Sequence, residues 1–229
     1  MEEIIHSRIF LLSLTVVVYY GALQLYNRWK FPLLNPLLVS IAAVIGILVL
    51  LGIDFEEYYE ANEIINFMLG LSVVAIAYLL EQNIAKIKTN IRTISVSVFA
   101  GSLMAVVSTW FIAHLMGADR VVIASIAPKS VTTAIALSIS EHSGGLMAIT
   151  SFAVIFTGIL GSVVGPWLLR IAGVRDSVAR GLAMGTAAHA MGTAKAMEMG
   201  ALEGAVGGAA IGLVGVVTAV LIPIIEKIM

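Results

Sequence analysis

Long apolar runs alternate with short clusters of charge along the whole chain. Eight runs read as helical segments: Arg8–Tyr26, Pro32–Gly52, Asn62–Leu80, Thr93–Met116, Asp119–Ser140, Gly145–Leu169, Gly181–Met199 and Gly204–Ile225. Crossing a hydrocarbon core takes about 20 helical residues, and most of these runs are that long. They are continuous rather than alternating, which predicts helices and not the strands of a transmembrane barrel. The second segment is followed by an acidic loop, Asp54–Glu60. The fifth is interrupted at its centre by Pro128.

Composition agrees with this pattern. Hydrophobic residues make up 60% of the chain and charged ones 12%, and the mean hydropathy is +1.03. These values predict an all-α polytopic membrane protein whose main partner is the lipid bilayer. Cysteine is absent, so disulfides, thiolate catalysis and Cys-based metal sites are excluded. A net charge of −1 and the lack of a basic run with interleaved aromatics give no sign of nucleic-acid binding. Met1-Glu2-Glu3 leads almost directly into the first span without a cleavable signal, so that segment is expected to remain. No His/Asp/Glu metal cluster, Ser-His-Asp set or P-loop is present; neither an enzyme nor a cofactor is expected.

No linker is long enough to separate domains, so residues 1–229 are expected to form one unit. Segments one to four recur as five to eight by position, which suggests halves at 1–116 and 117–229. The sequence echo is weak, pairing Met68-Leu69-Gly70-Leu71-Ser72 with Ala183-Met184-Gly185-Thr186-Ala187, and any eight evenly spaced spans would look periodic. Basic loops after segments one, three and six belong in the cytoplasm by the positive-inside rule. Corresponding loops of the halves then face opposite sides, as in an inverted repeat. Joining two such halves requires one odd crossing, and the proline-broken fifth segment is expected to be re-entrant or split.

The candidate chemistry follows the breaks. Proline disfavours helix at Ala127 and suits the first turn of a new one, so Pro128 is expected to begin a half-helix running to Ser140. A helix N-terminus at mid-membrane depth attracts anions. Lys129 adds a full charge, and Ser130, Thr132 and Thr133 add hydroxyls, with Lys129, Thr132 and Thr133 on one face by their spacing. The alternative is a proline kink with Lys129 snorkelling to an interface. In the seventh segment Gly185, Thr186, His189, Gly192 and Thr193 combine flexibility with polar groups, and Thr186, His189 and Thr193 share a face at spacings of three and four. An imidazole can change charge near neutral pH, which suits anion binding or proton carriage; a lone His in a membrane helix is equally a packing residue. Asn35, between Pro32 and Pro36, is either a cap or a ligand. Gly70 and Ser72 could form a further break. Lys195 and Glu198 are positioned to pair with each other. Gly204, Gly208 and Gly212, like Gly161 and Gly165, permit close helix packing, and Trp29, Trp110 and Trp167 suit aromatic belts.

Three stretches carry a family resemblance: Pro32-Leu33-Leu34-Asn35-Pro36-Leu37-Leu38, Pro128-Lys129-Ser130-Val131-Thr132-Thr133, and the Gly-Thr-Ala…His…Gly-Thr-Ala frame within Gly181 to Lys195. Through them the chain resembles the LrgB family of CidB-like or antiholin-like membrane proteins, over essentially its whole length. It departs from that pattern at Leu71, Ala134, Ala188 and Ala190. The resemblance implies a smaller LrgA-type membrane partner and two functions from different classes. One is uptake of a small monocarboxylate such as pyruvate, glycolate or glycerate, for which proton coupling is expected from His189 and an elevator-like movement by analogy with inverted-repeat transporters. The other is antiholin-like or holin-like control of murein hydrolase activity and membrane permeability. The architecture also accommodates a homodimer, and the expected location is the plasma membrane.

Overall fold

The computed structural model describes residues 5–29, 31 and 34–228. Among these residues there are eleven helices and no strand, so the chain is an all-α membrane protein. In chain order they are α1 (Arg8–Trp29), α2 (Pro36–Leu51), α3 (Phe55–Ala61), α4 (Glu63–Gln82), α5 (Ile84–Thr89), α6 (Ile91–Leu115), α7 (Arg120–Ile126), α8 (Thr133–His142), α9 (Met147–Ile171), α10 (Ser177–Met199) and α11 (Ala201–Ile228). Four of them, α1, α6, α9 and α11, are long and apolar enough to cross a membrane.

The chain divides into two compact units, residues 1–75 and 76–229, with the boundary inside α4. In the first unit Leu11, Val44, Leu48, Ile53 and Ala61 form an apolar cluster. Asn35 caps α2 by accepting from the amides of Leu37 (2.9 Å) and Leu38 (3.3 Å), and Gly52 ends that helix in the left-handed region at φ 67°, where glycine carries no steric cost. The stretch expected as an acidic loop, Asp54–Glu60, instead contains α3. Glu56 and Glu57 occupy its first turn, where carboxylates are stabilised by the helix dipole. The backbone of α4 runs unbroken past Gly70. The side chain of Ser72 lies outside the described residues.

In the second unit α6 presents one stripe to the interior: Ile94, Val98, Ser102, Val106, Thr109 and Ala113 are its buried residues, at helical spacings of three and four. Two broken helices pack around it. The first is the fifth segment. It is interrupted as the sequence predicts, but the second half-helix starts at Thr133, with Thr132 as N-cap, rather than at Pro128. Residues 127–130 form tight turns instead, closed by Lys129 N–H to Ile126 C=O (3.2 Å) and Val131 N–H to Pro128 C=O (3.2 Å). Ala127 and Ile139 lie in one cluster with Val106, Leu221, Ile222 and Ile225, whereas Val131 belongs to another with Ile94, Val98, Val206 and Val214. Ser125 and Ser140 both lie against Gly145, so the chain turns back on itself between them. It is a re-entrant hairpin, α7–turn–α8.

The second broken helix is α10. Sequence spacing treats it as one span, and here the structure corrects the expectation. Ala188 (φ −132°, ψ 22°) and His189 (φ 43°, ψ −132°) are non-helical, and the two arms fold back on each other. A Cβ at Gly207 would lie 3.2 Å from Gly181 O and 3.1 Å from Thr193 Oγ1. Gly181 and Thr193 would be about 18 Å apart along an unbroken helix at 1.5 Å per residue. The seventh segment is therefore a second re-entrant hairpin. Its two ends lie together, since Arg180 and Lys195 line one cavity.

Glycine makes the close approach of this hairpin to α11 possible. A Cβ on Gly185 would sit 2.8 Å from Gly207 Cα, whereas one on Gly212 would meet nothing within 4 Å. Gly181 and Gly185 thus pack against Glu203 and Gly207. Of the glycines expected to pack closely, Gly161, Gly165 and Gly204 do so, against Ala188, Met184 and Met197, whereas Gly212 does not. Gly185→Ala is expected to destabilise by about 1–3 kcal/mol through overpacking, while Gly212→Ala stays neutral or gains slightly. Thermal unfolding of both variants in one detergent checks the order; equal midpoints would contradict this packing.

Candidate functional site

The first hairpin tip and the first arm of α10 bring Lys129 and Thr186 to α6. At the first tip Pro128 is fully buried and Ser130 nearly so. The Lys129 amine donates to Thr109 Oγ1, which in turn donates to Ala105 C=O at 2.6 Å. The amine thus points into the protein, and among the described residues no carboxylate pairs with it. Because Lys129 sits in the turn, it does not share a helical face with Thr132 and Thr133 as the spacing suggested. Thr133 is exposed. Thr132 occupies the N-cap position of α8 without making a side-chain cap bond, so the first amides of α8 keep their capacity to bind an acceptor.

At the second tip the break itself determines where the side chains go. Thr186, His189 and Thr193 are not on one face, because residues 188 and 189 reverse the chain between them. His189 is buried, and its Nε2 lies 3.0 Å from Val154 O. A carbonyl only accepts, so Nε2 carries the proton there, and Nδ1 is left as the free acceptor in the neutral ring. Gly158 makes room for this ring: a Cβ at that position would lie 2.7 Å from His189 Cε1. These contacts occupy one edge of the ring in packing and leave Nδ1 uncommitted. Its φ of 43° makes it the one non-glycine residue with positive φ among those described.

Three hydroxyls complete the set. Ser102 on α6, and Thr186 and Thr193 on the two arms of α10, have buried oxygens without a hydrogen-bond partner among the described residues. Thr186 lies against Gly101, with its Cγ2 2.9 Å from where a Cβ would be. Ser102 and Thr109, on the same stripe, are about 10 Å apart along the helix axis. A buried hydroxyl left unpaired costs about 1–3 kcal/mol, which is a reason to look for something that pairs with it. Sequence reasoning found Thr186 and Thr193 but missed Ser102 and Thr109. Their signal was present as the two polar positions of an otherwise apolar helical stripe.

Asn35 spends its carboxamide oxygen as the α2 cap and belongs to the other compact unit. Gly185 and Gly192 are packing positions: Gly185 abuts Gly207, and Gly192 abuts Met184 O of the opposing arm. The Lys195–Glu198 pair forms as expected, at 2.5 Å. Two cavities flank the second unit. One of about 250 Å³ lies beside Arg120, Trp110, His114 and Glu226. The other, of about 530 Å³, lies beside Arg170, Arg175, Arg180 and Lys195. Neither is lined by Lys129 or by the three hydroxyls.

Membrane-crossing helices combined with two re-entrant hairpins define a polytopic helical membrane protein with a polar interior. The LrgB-like family profile matches residues 15–228. The chain is 36% identical over 225 residues, covering 98% of both chains, to the holin-like protein CidB of Staphylococcus epidermidis strain RP62A, and equally so to CidB of Staphylococcus aureus strain N315. It is 35% identical over 218 residues to YwbG of Bacillus subtilis, covering 95% of this chain and 97% of that one. No solved structure matches. The chain belongs to the LrgB-like family.

The backbone at His189 generates a testable contrast. A non-glycine residue held in this region costs about 1–3 kcal/mol, which glycine relieves and alanine does not. His189→Gly should therefore unfold at a higher temperature than His189→Ala. The reverse order would show that the hairpin tip does not adopt this turn.

Proposed function

We propose that the second unit binds a small carboxylate anion between its hairpin tips and carries it across the plasma membrane. The observation that carries this reading is the Lys129 amine, turned inward onto Thr109 with no carboxylate partner among the described residues. A buried cation without a counter-ion is costly, and in a membrane protein such a group marks a substrate or ion path. The uncapped start of α8 adds partial positive charge. Ser102, Thr186 and Thr193 supply hydroxyl donors, and His189 Nδ1 supplies a group able to take up a proton. Discontinuous helices meeting inside the protein are the usual setting for such sites in secondary transporters. Movement of a hairpin would expose the site to either side in turn, which is where an elevator-like or rocking step would act.

The names of the Staphylococcus relatives, holin-like protein CidB, favour a second reading more directly than they favour transport. In it the chain regulates membrane permeability in a holin-like or antiholin-like way, with an LrgA-type partner or as a homodimer. That role needs surfaces for association and no selective interior site.

Uptake of labelled two- and three-carbon acids into proteoliposomes, at several pH gradients, separates the two. Lys129→Ala should lower uptake about tenfold or more, the loss expected for one charge-assisted hydrogen bond. Thr193→Val should also lower uptake while holding or raising thermal stability, because it removes an unpaired buried hydroxyl. Leakage of unrelated solutes that ignores both substitutions would support the holin-like reading and refute carriage.

A further inference from the structure

The cavity of about 530 Å³ beside the α10 hairpin lies apart from the carboxylate site, and its walls are strongly basic. Arg170 comes from the last turn of α9, Arg175 from the turn that follows, Arg180 from the first arm of α10 and Lys195 from the second. Basic residues placed only to orient a membrane protein can spread over its surface. Here four cations, from the end of α9, the turn after it and the two arms of α10, converge on one concavity, and the fold-back of α10 brings the last two together.

Two of the four are balanced. Arg180 meets Glu203 at 3.5 Å and Lys195 meets Glu198 at 2.5 Å. Arg170 and Arg175 have no carboxylate within ion-pair distance among the described residues. The nearby Asp176 is engaged as the α10 cap, accepting from Ala179 N–H at 2.8 Å. Two guanidinium groups are thus left to face a common space. A guanidinium presents its donors as a planar fork that matches phosphate oxygens two at a time. The volume falls within the range of about 300–1,000 Å³ that holds drug-sized ligands. Pro166, Leu169 and Met199 add an apolar wall suited to the organic part of such a ligand.

We propose that this cavity is a binding site for a phosphate-bearing anion, gripped by Arg170 and Arg175. Two sources share that chemistry: the headgroup of an anionic phospholipid in the surrounding leaflet, and a soluble phosphate ester. The site stands independently of the carboxylate reading, since it uses none of the same side chains.

The test uses the full chain in nanodiscs, with two arms. In phosphatidylcholine discs, inorganic phosphate and glycerol phosphate are titrated calorimetrically. In parallel, native mass spectrometry counts phosphatidylglycerol molecules retained after extraction from discs containing that lipid. Saturable binding in the first arm assigns a soluble ester, and retained lipid in the second assigns a headgroup. In either case the Arg170→Gln/Arg175→Gln double variant should weaken binding at least tenfold, and Lys129→Ala should leave it unchanged. Arg175→Gln alone, at an exposed turn position, serves if the double variant does not fold, and should weaken binding several-fold. Absence of binding in both arms, or equal binding by wild type and the arginine variants, overturns the proposal.

Discussion

Backbone that leaves a helix inside a membrane must find partners for its amides and carbonyls within the protein, because lipid offers none. The second unit is organised around that constraint twice. At residues 127–132 the freed groups close tight turns on themselves, Pro128 removes one donor outright, and Val131 seals the tip into the apolar core. At residues 188–189 the reversal is held by His189 against Val154 O and by glycines that let two arms and α11 come close. The first tip reaches α6 through Lys129 and Thr109, and the second tip packs on α9 at Val154, Gly158 and Gly161. The buried stripe of α6 is apolar except at Ser102 and Thr109. Lys129 meets Thr109, and Thr186 lies against Gly101, the residue before Ser102.

Packing and function are therefore joined at the same residues. A straight helix would satisfy its own backbone and could present only side chains to the interior. A broken one also exposes a helix start, and the turn before it can hold an amine that no carboxylate neutralises. The cost is borne by close glycine contacts and by a strained histidine backbone. Unpaired hydroxyls at Ser102, Thr186 and Thr193 add to it. Lys129, Ser102, Thr186 and Thr193 give the second unit a polar interior, which a carrier needs and a role based only on surface association does not.

Much of this was legible in the sequence. Span positions follow from apolar length, and the break at Pro128 follows from the missing donor and the steric bias on Ala127. The family resemblance rested on the same Pro128–Thr133 stretch. The second hairpin was not legible, because nothing at Ala188-His189 breaks a helix by propensity. His189 is an ordinary helical residue until tertiary contacts with Gly158 and Val154 fix it otherwise. The start of α8 was misplaced by five residues for a related reason. Proline suits the first turn of a helix and a tight turn equally, and packing of Val131 selected the turn. The partnership of Lys129 with Thr109 depends on a contact across twenty residues, which spacing rules along one helix do not reach.

The sidedness of the two hairpins tests the account most directly, and a chain without cysteine makes it simple to read. Single cysteines at Met116, Glu141, Arg175 and Ala201 flank the hairpins in pairs, and a membrane-impermeant thiol reagent reports their side in sealed vesicles. The account predicts that Met116 and Glu141 label from one face, and Arg175 and Ala201 from the other. Labelling of Arg175 and Ala201 from opposite faces would mean that α10 crosses the membrane, and the interior site as described would not exist.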